Sequence, residues 1–183
     1  MLQHSPPTAE AQADAPAKYQ AETLGVAFFD LSRMAEWSSS EQDVMIGNFL
    51  QQFYELAGKQ IEQAGGRVVK FMGDAGLAVF PTDRVQDGVM ALWALTQQAR
   101  DLAGQHGIDT HLNVNVHVGP VLAGNFGPPS LPRFDVIGKT VNTAARLGRR
   151  GITLSAQAFR CLDPEARGHC EKITPPVTYR YRS

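Results

Sequence analysis

Cysteine is scarce in this chain: its 183 residues hold two, Cys161 and Cys170, with no CxxC pair and too few thiols for a disulfide framework. A reducing, cytoplasmic setting is the expectation. A basic surplus is absent too, since Lys and Arg number 17 against 18 Asp and Glu, so no net positive field draws the chain to a nucleic-acid backbone or an anionic membrane. Any anion it binds must be held locally. No apolar run approaches the roughly 20 residues that cross a bilayer, and the first 22 residues lack the basic start and apolar centre of a signal peptide. Neither nucleic-acid binding nor direct membrane insertion is expected. Several enzyme signatures are missing as well: GxGxxG after a strand, GxSxG, HExxH and any Cys/His spacing suited to zinc. Gly138-Lys139-Thr140 has the tail of a phosphate-binding P-loop, but Arg133 stands where GxxxxGK[ST] needs a glycine.

What is present suffices for one folded domain. Hydrophobic residues make up 43% and charged residues 19% of the chain, the balance of a globular protein with a core of its own. Residues 1–22 are rich in Pro, Ala and Gln and nearly free of large apolar side chains, which predicts a flexible lead or linker before a domain over 23–183. Gly25–Phe29 is an apolar run that ends on Asp30, the pattern of a buried strand. Between Ser40 and Ala64, Ile46, Phe49, Leu50, Phe53, Ala57 and Ile61 recur at helical spacing, and Gly65-Gly66 closes that helix. Arg67–Phe71, the turn Gly73-Asp74-Ala75-Gly76 and Leu77–Phe80 read as a β-hairpin, and 84–103 as a second helix. Thr110–Gly119 alternates, with Leu112, Val114, Val116 and Val118 on one face and His111, Asn113, Asn115 and His117 on the other. Its polar face is expected to look toward solvent or a partner. A proline-containing loop at 127–132 leads to a strand near Phe134–Ile137 and a helix from Gly138 through Arg149. A strand at Ile152–Leu154, a helix capped by Ser155 and a hairpin over Glu171–Tyr181 complete the series. This order predicts an α+β fold, one sheet with helices on one face.

Two acids can carry chemistry. Asp30 ends the first strand and Asp74 sits in the hairpin turn, so neighbouring strands would bring both carboxylates to one end of the sheet. There they could hold two divalent cations, the clamp that stabilises attacking and leaving oxygens in phosphoryl transfer, with Mg²⁺ the natural occupant of a carboxylate site. An Asp in a turn also serves backbone geometry. Further on, Asn142 and Arg146 lie at i and i+4 after Asp135. An amide and a guanidinium on one stripe suit a ribose oxygen and a phosphate; the same residues also make an ordinary solvated helix face, with an acid favoured near its start.

Four segments, FFDL, KFMGDAGLAVF, VHVGPVLAGNFG and FDVIGKTVNTAARL, stand in the order and rough spacing of the class III nucleotidyl cyclase catalytic domain, which the chain resembles over most of its length. The resemblance implies a ferredoxin-like βαββαβ core extended by further strands and helices, with a mixed, mainly antiparallel sheet. It implies head-to-tail homodimers with two sites, each built from both chains. By position, Asp30 and Asp74 match the metal-binding acids and the Leu31 carbonyl a further ligand, for two Mg²⁺ or Mn²⁺ ions per site. Lys70 and Asp135 match the pair that contacts the purine; Lys with Asp goes with adenine, whereas guanylyl cyclases typically carry Glu with Cys or a small residue. Asn142 matches the residue that positions the ribose, and Arg146 the one that meets the pentavalent phosphorus. Gly73 and Arg33 join the expected substrate contacts. The implied reaction is in-line attack of the ATP 3′-hydroxyl on the α-phosphorus, giving 3′,5′-cyclic AMP and pyrophosphate.

Three departures accompany the match. Arg33 and Met34 stand where the family usually has a glycine and an aromatic residue, so that Arg33 either narrows the turn or adds a phosphate contact. Glu171, with Lys172 beside it, stands where a hairpin lysine often meets the polyphosphate. The loop Pro128–Pro132 is short. The competing readings are a cyclase for GTP or a pyrimidine triphosphate, and a non-catalytic domain that binds nucleotide or only dimerises.

Overall fold

The computed structural model describes residues 19–37, 43–148 and 151–182. Its elements are strands β1 (Tyr19–Leu31), β2 (Arg67–Met72), β3 (Ala75–Pro81), β4 (Leu112–Phe126), β5 (Arg133–Ile137), β6 (Ile152–Ser155), β7 (Cys170–Ile173) and β8 (Thr178–Tyr181), and helices α1 (Asp43–Gln63), α2 (Val85–Gln105), α3 (Lys139–Ala144), α4 (Ala156–Arg160) and α5 (Pro164–Gly168). The main path of the sheet runs β2-β3-β1-β4-β6-β8-β7, with β5 paired to β4. Every pairing is antiparallel except β4 with β6. The first four strands and two long helices make the expected βαββαβ core.

The period of two in the strands splits the chain's apolar residues between two faces. Ala27, Phe29 and Leu31 of β1, Phe80 of β3 and Val114 and Val116 of β4 form the main core with Phe49, Phe53 and Ile61 of α1 and Leu92 and Leu95 of α2. The long helices share one face, as the pattern predicts, but α3 takes the other. Its Ala144, with Val141, packs against Val26, Leu77, Val79 and Val121 in a second, smaller core. Gly76 lies opposite Phe29 across β1 and β3, and a Cβ there would come within 2.2 Å of the Phe29 ring. Gly76→Ala is therefore expected to cost about 1–3 kcal/mol through overpacking, read as a lower denaturation midpoint in urea.

Several boundaries differ from the sequence reading. β1 begins at Tyr19, and Tyr19 through Glu22 pair with Gly124 through Val121; this trims the expected lead, of which 1–18 lie outside the described residues. Backbone pairing and the stacking of Tyr19 on Phe126, centroids 5.3 Å apart, hold a stretch whose composition is polar. The helix expected from Ser40 begins, within the described residues, at Asp43. α3 ends at Ala144 rather than Arg149, which lies outside the described residues, and the Arg146 and Leu147 amides bond back three residues in a tightened turn. The hairpin turn narrows to Gly73-Asp74, with Ala75 and Gly76 inside β3. Ser155 caps α4 as expected, accepting from the Ala158 amide at 3.1 Å.

Candidate active site

β1 and β3 place Asp30 opposite Ala75, so Asp74 lies one residue beyond Asp30's partner. The Leu31 amide donates to the Asp74 carbonyl at 3.0 Å, which fixes the two acid-bearing segments to each other. The turn between β2 and β3 needs φ +65° at Gly73, a conformation that glycine adopts without steric cost. Tyr54 of α1 donates its hydroxyl to the Gly73 carbonyl at 2.5 Å, and its ring stacks on Phe71 at 4.1 Å. Burial, and then the charge of Asp74, pushes the Tyr54 phenol up, so it stays a donor and holds the turn.

Asp30 opens into a cavity of about 580 Å³ lined also by Ser32, Arg33, Asn113, Asn115, Ala145 and Gly148. Among the described residues neither Asp30 nor Asp74 forms an ion pair, and no three or more His, Cys, Asp or Glu gather at one point. Two unneutralised carboxylates with main-chain carbonyls are a hard, oxygen-only donor set that fits Mg²⁺ or Mn²⁺. Such an ion would complete its shell with water and phosphate.

Asn113 donates to Asp30 at 3.4 Å, and Asn115 donates to the Gly148 carbonyl at 3.0 Å. Both are buried, at 5% and 2% exposure, while their side-chain oxygens lack partners. The expectation that they face solvent is thus corrected: both side chains are buried, and Asn115 is held by the chain's own Gly148 carbonyl. Their place in the Asp30 cavity was missed, although the Asn113 and Asn115 alternation was the signal for it.

Arg33 adopts φ +62°, the left-handed region favoured by the glycine it replaces. Its guanidinium lies at the cavity but is shared by Glu36 and Asp109. Hydrogen bonding to Arg33 lowers the Glu36 carboxyl below its ordinary range. The turn is also pinned to the entry of β4, since Thr110 donates to the Ser32 carbonyl at 2.6 Å.

Lys70 and Asp135, 65 positions apart, meet at 2.6 Å. They are brought together by β2 and β5, whose elements touch beside the smaller core. Asp135 also accepts from the Val136 amide at 2.8 Å, which orients its carboxylate. An adjacent donor and acceptor result.

Asn142 and Arg146 line a separate cavity of about 600 Å³ with His117, Lys139, Ser155 and Thr178. The 145–148 segment divides the two spaces: Ala145 and Gly148 line the Asp30 side, and Arg146 and Leu147 the Asn142 side. Within one chain the acids and the Asn/Arg pair therefore do not share a cavity. Burial lowers the His117 pKa, which favours its neutral form.

A family model described as the adenylate and guanylate cyclase catalytic domain matches residues 17–174. The chain belongs to that family. It is 30% identical over 139 residues to an adenylate cyclase of Anabaena cylindrica, a match covering 71% of this chain and 27% of that protein. It is 27% identical over 126 residues to an uncharacterized protein of Mycobacterium tuberculosis, covering 67% and 23%. The chain thus spans about a quarter of the length of these relatives. Among solved structures, a bacterial light-regulated adenylyl cyclase superposes with TM-score 0.74 at 18% identity, covering 91% of this chain and 53% of that one. The guanylyl cyclase Cya2 superposes with TM-score 0.72 at 20% identity, covering 90% and 93%. These structural likenesses establish the cyclase fold, and both nucleotide types occur among them.

The hairpin departure has a structural counterpart in this cyclase domain. Glu171 pairs with Arg182, and Lys172 lies opposite Tyr179, whose ring stacks on Phe159 and packs on the main core. Register therefore puts Lys172 on the sheet face opposite Asn142 and Arg146.

Proposed function

We propose that two copies of this chain together convert ATP to 3′,5′-cyclic AMP and pyrophosphate, with Asp30 and Asp74 of one copy meeting Lys70, Asp135, Asn142 and Arg146 of the other. The supporting observation is the division of the chain into two cavities by the 145–148 segment. A head-to-tail pair lets one copy supply what the other's cavity lacks, without bending either chain.

In this reading Lys70 donates to adenine N1 and Asp135 accepts from its exocyclic amine. Guanine presents the opposite order, an acceptor oxygen beside an N–H, and so fits the pair poorly. Their mutual ion pair is partly exposed, at 42% and 27% for the two side chains, and opening it costs about 0–1 kcal/mol. Asn142 holds the ribose so that the 3′-hydroxyl faces the α-phosphorus, and Arg146 meets the negative charge that grows on the phosphoryl oxygens during attack. Mg²⁺ or Mn²⁺ held by Asp30, Asp74 and the Leu31 carbonyl would supply acidification of the hydroxyl and neutralisation of the triphosphate. Arg33 remains on Glu36 and Asp109 or exchanges them for phosphate, and Gly73 keeps the acid turn free of a Cβ.

Incubation of the purified chain with ATP, GTP, CTP and UTP in turn, with Mg²⁺ or Mn²⁺, tests the reading. Mass spectrometry should find cyclic AMP as the dominant product; a dominant cyclic GMP or pyrimidine product, or none, overturns it. The double substitution Lys70→Glu with Asp135→Cys is expected to move the product ratio from cyclic AMP toward cyclic GMP by about tenfold or more, the size of a hydrogen-bonding discrimination.

A further inference from the structure

We propose that Lys139 binds the polyphosphate of the nucleotide held at Asn142 and Arg146, a role that rests on the cyclase reading above. The lysine belongs to the Gly138-Lys139-Thr140 segment, whose P-loop reading fails at Arg133. The structure divides that segment's residues. Thr140 is buried and donates to the Pro120 carbonyl at 2.6 Å, so its hydroxyl is committed to the fold. Lys139 is exposed and lines the same cavity as Asn142 and Arg146.

The spacing 139, 142, 146 is i, i+3, i+7, one stripe of a helix. The stripe persists past the end of α3 because the Ala145 amide bonds to the Val141 carbonyl and the Arg146 amide to that of Thr143, at 3.0 and 3.1 Å. Thr143 anchors the start by donating to the Lys139 carbonyl at 2.9 Å. Seven residues of helix rise about 10 Å, a separation that sets Lys139 at the far phosphates while Arg146 stays beside the α-phosphorus.

Charge selects the ligand class. No Asp or Glu lines this cavity, and among the described residues neither Lys139 nor Arg146 has an ion-pair partner. Of the described cations, Arg33 has two ion-pair partners and Lys70, Arg84 and Arg182 one each, so what marks Lys139 and Arg146 is that they share one recess. His117 adds no compensating or extra charge while neutral. Two uncompensated cations in one recess of a chain with net charge -1 make a local polyanion site, where the overall composition offers none. Lys172, the lysine that sequence position suggested, lies on the other sheet face.

The test measures binding of 3′-deoxy-ATP, 3′-deoxy-AMP and inorganic tripolyphosphate by calorimetry to the wild-type chain, Lys139→Gln and Lys139→Arg. Lys139→Gln should weaken 3′-deoxy-ATP and tripolyphosphate by about tenfold, or about 1.4 kcal/mol, leave 3′-deoxy-AMP within about twofold, and be largely rescued in Lys139→Arg. Unchanged triphosphate binding, an equal loss for the monophosphate, or a wild-type chain that binds neither triphosphate form overturns the assignment. Tripolyphosphate carries no base, so a wrong choice of nucleotide leaves that arm intact, while the nucleotide panel reports separately on the cyclase reading.

Discussion

Arg146→Ala is expected to lower turnover by about 10²–10³-fold, or about 2.7–4 kcal/mol of barrier, the usual loss when one preorganised donor to a developing charge is removed. Nucleotide affinity should fall far less. The guanidinium has no carboxylate partner among the described residues, so removing it strands no buried charge and leaves the cavity walls in place. A donor that acts on charge present only in the transition state changes kcat and kcat/KM together and spares ground-state binding. Steady-state kinetics with parallel binding of 3′-deoxy-ATP separates the two. Equal proportional losses in turnover and affinity would show that Arg146 serves binding rather than the reaction.

Mixing two inactive variants should restore activity that neither has alone. If Asp74→Ala abolishes one contribution and Arg146→Ala the other, a mixed dimer keeps one intact site of its two and places both lesions in the other. Random exchange of subunits makes half the dimers mixed, so an equimolar mixture should recover about a quarter of wild-type activity. The expectation follows from the two cavities, with Asp30 on one side of the 145–148 segment and Arg146 on the other. A mixture that stays at the sum of its parts, under conditions where light scattering shows dimers and labelled chains exchange, would mean that each chain completes its own site.

Much of the fold was legible because its elements are strongly patterned. Phe49, Phe53, Ala57 and Ile61 share one face of α1, and all four are fully buried; the alternation of Leu112, Val114 and Val116 marks β4 in the same way. Glycines at 65 and 73 announced turns that do need positive φ. Other features were illegible because they are satisfied by the backbone. The start of β1 at Tyr19 rests on ladder hydrogen bonds to β4, which the backbone makes whatever side chains it carries. The position of α3 on its own face depends on what the rest of the sheet leaves uncovered, and six residues carry too little periodicity to declare it.

The site divides along the same line. From sequence alone came the residue types: two acids, a Lys and an Asp for a base edge, an Asn and an Arg on one stripe, in a chain with no surplus of positive charge. Short-range geometry determined the acids and the Asn/Arg stripe, because turn, strand-end and helix spacings act within a few residues; the Lys and Asp were what the family resemblance implied. Tertiary structure decided the company each one keeps. It joined Lys70 to Asp135 across 65 positions, enclosed Asn113 and Asn115 beside Asp30, tied Arg33 to Glu36 and Asp109, turned Lys172 away and left Lys139 facing Arg146's cavity. Those outcomes depend on strand order and on which sheet face a segment covers, and both are set by the long-range burial of apolar surface rather than by any local run of residues.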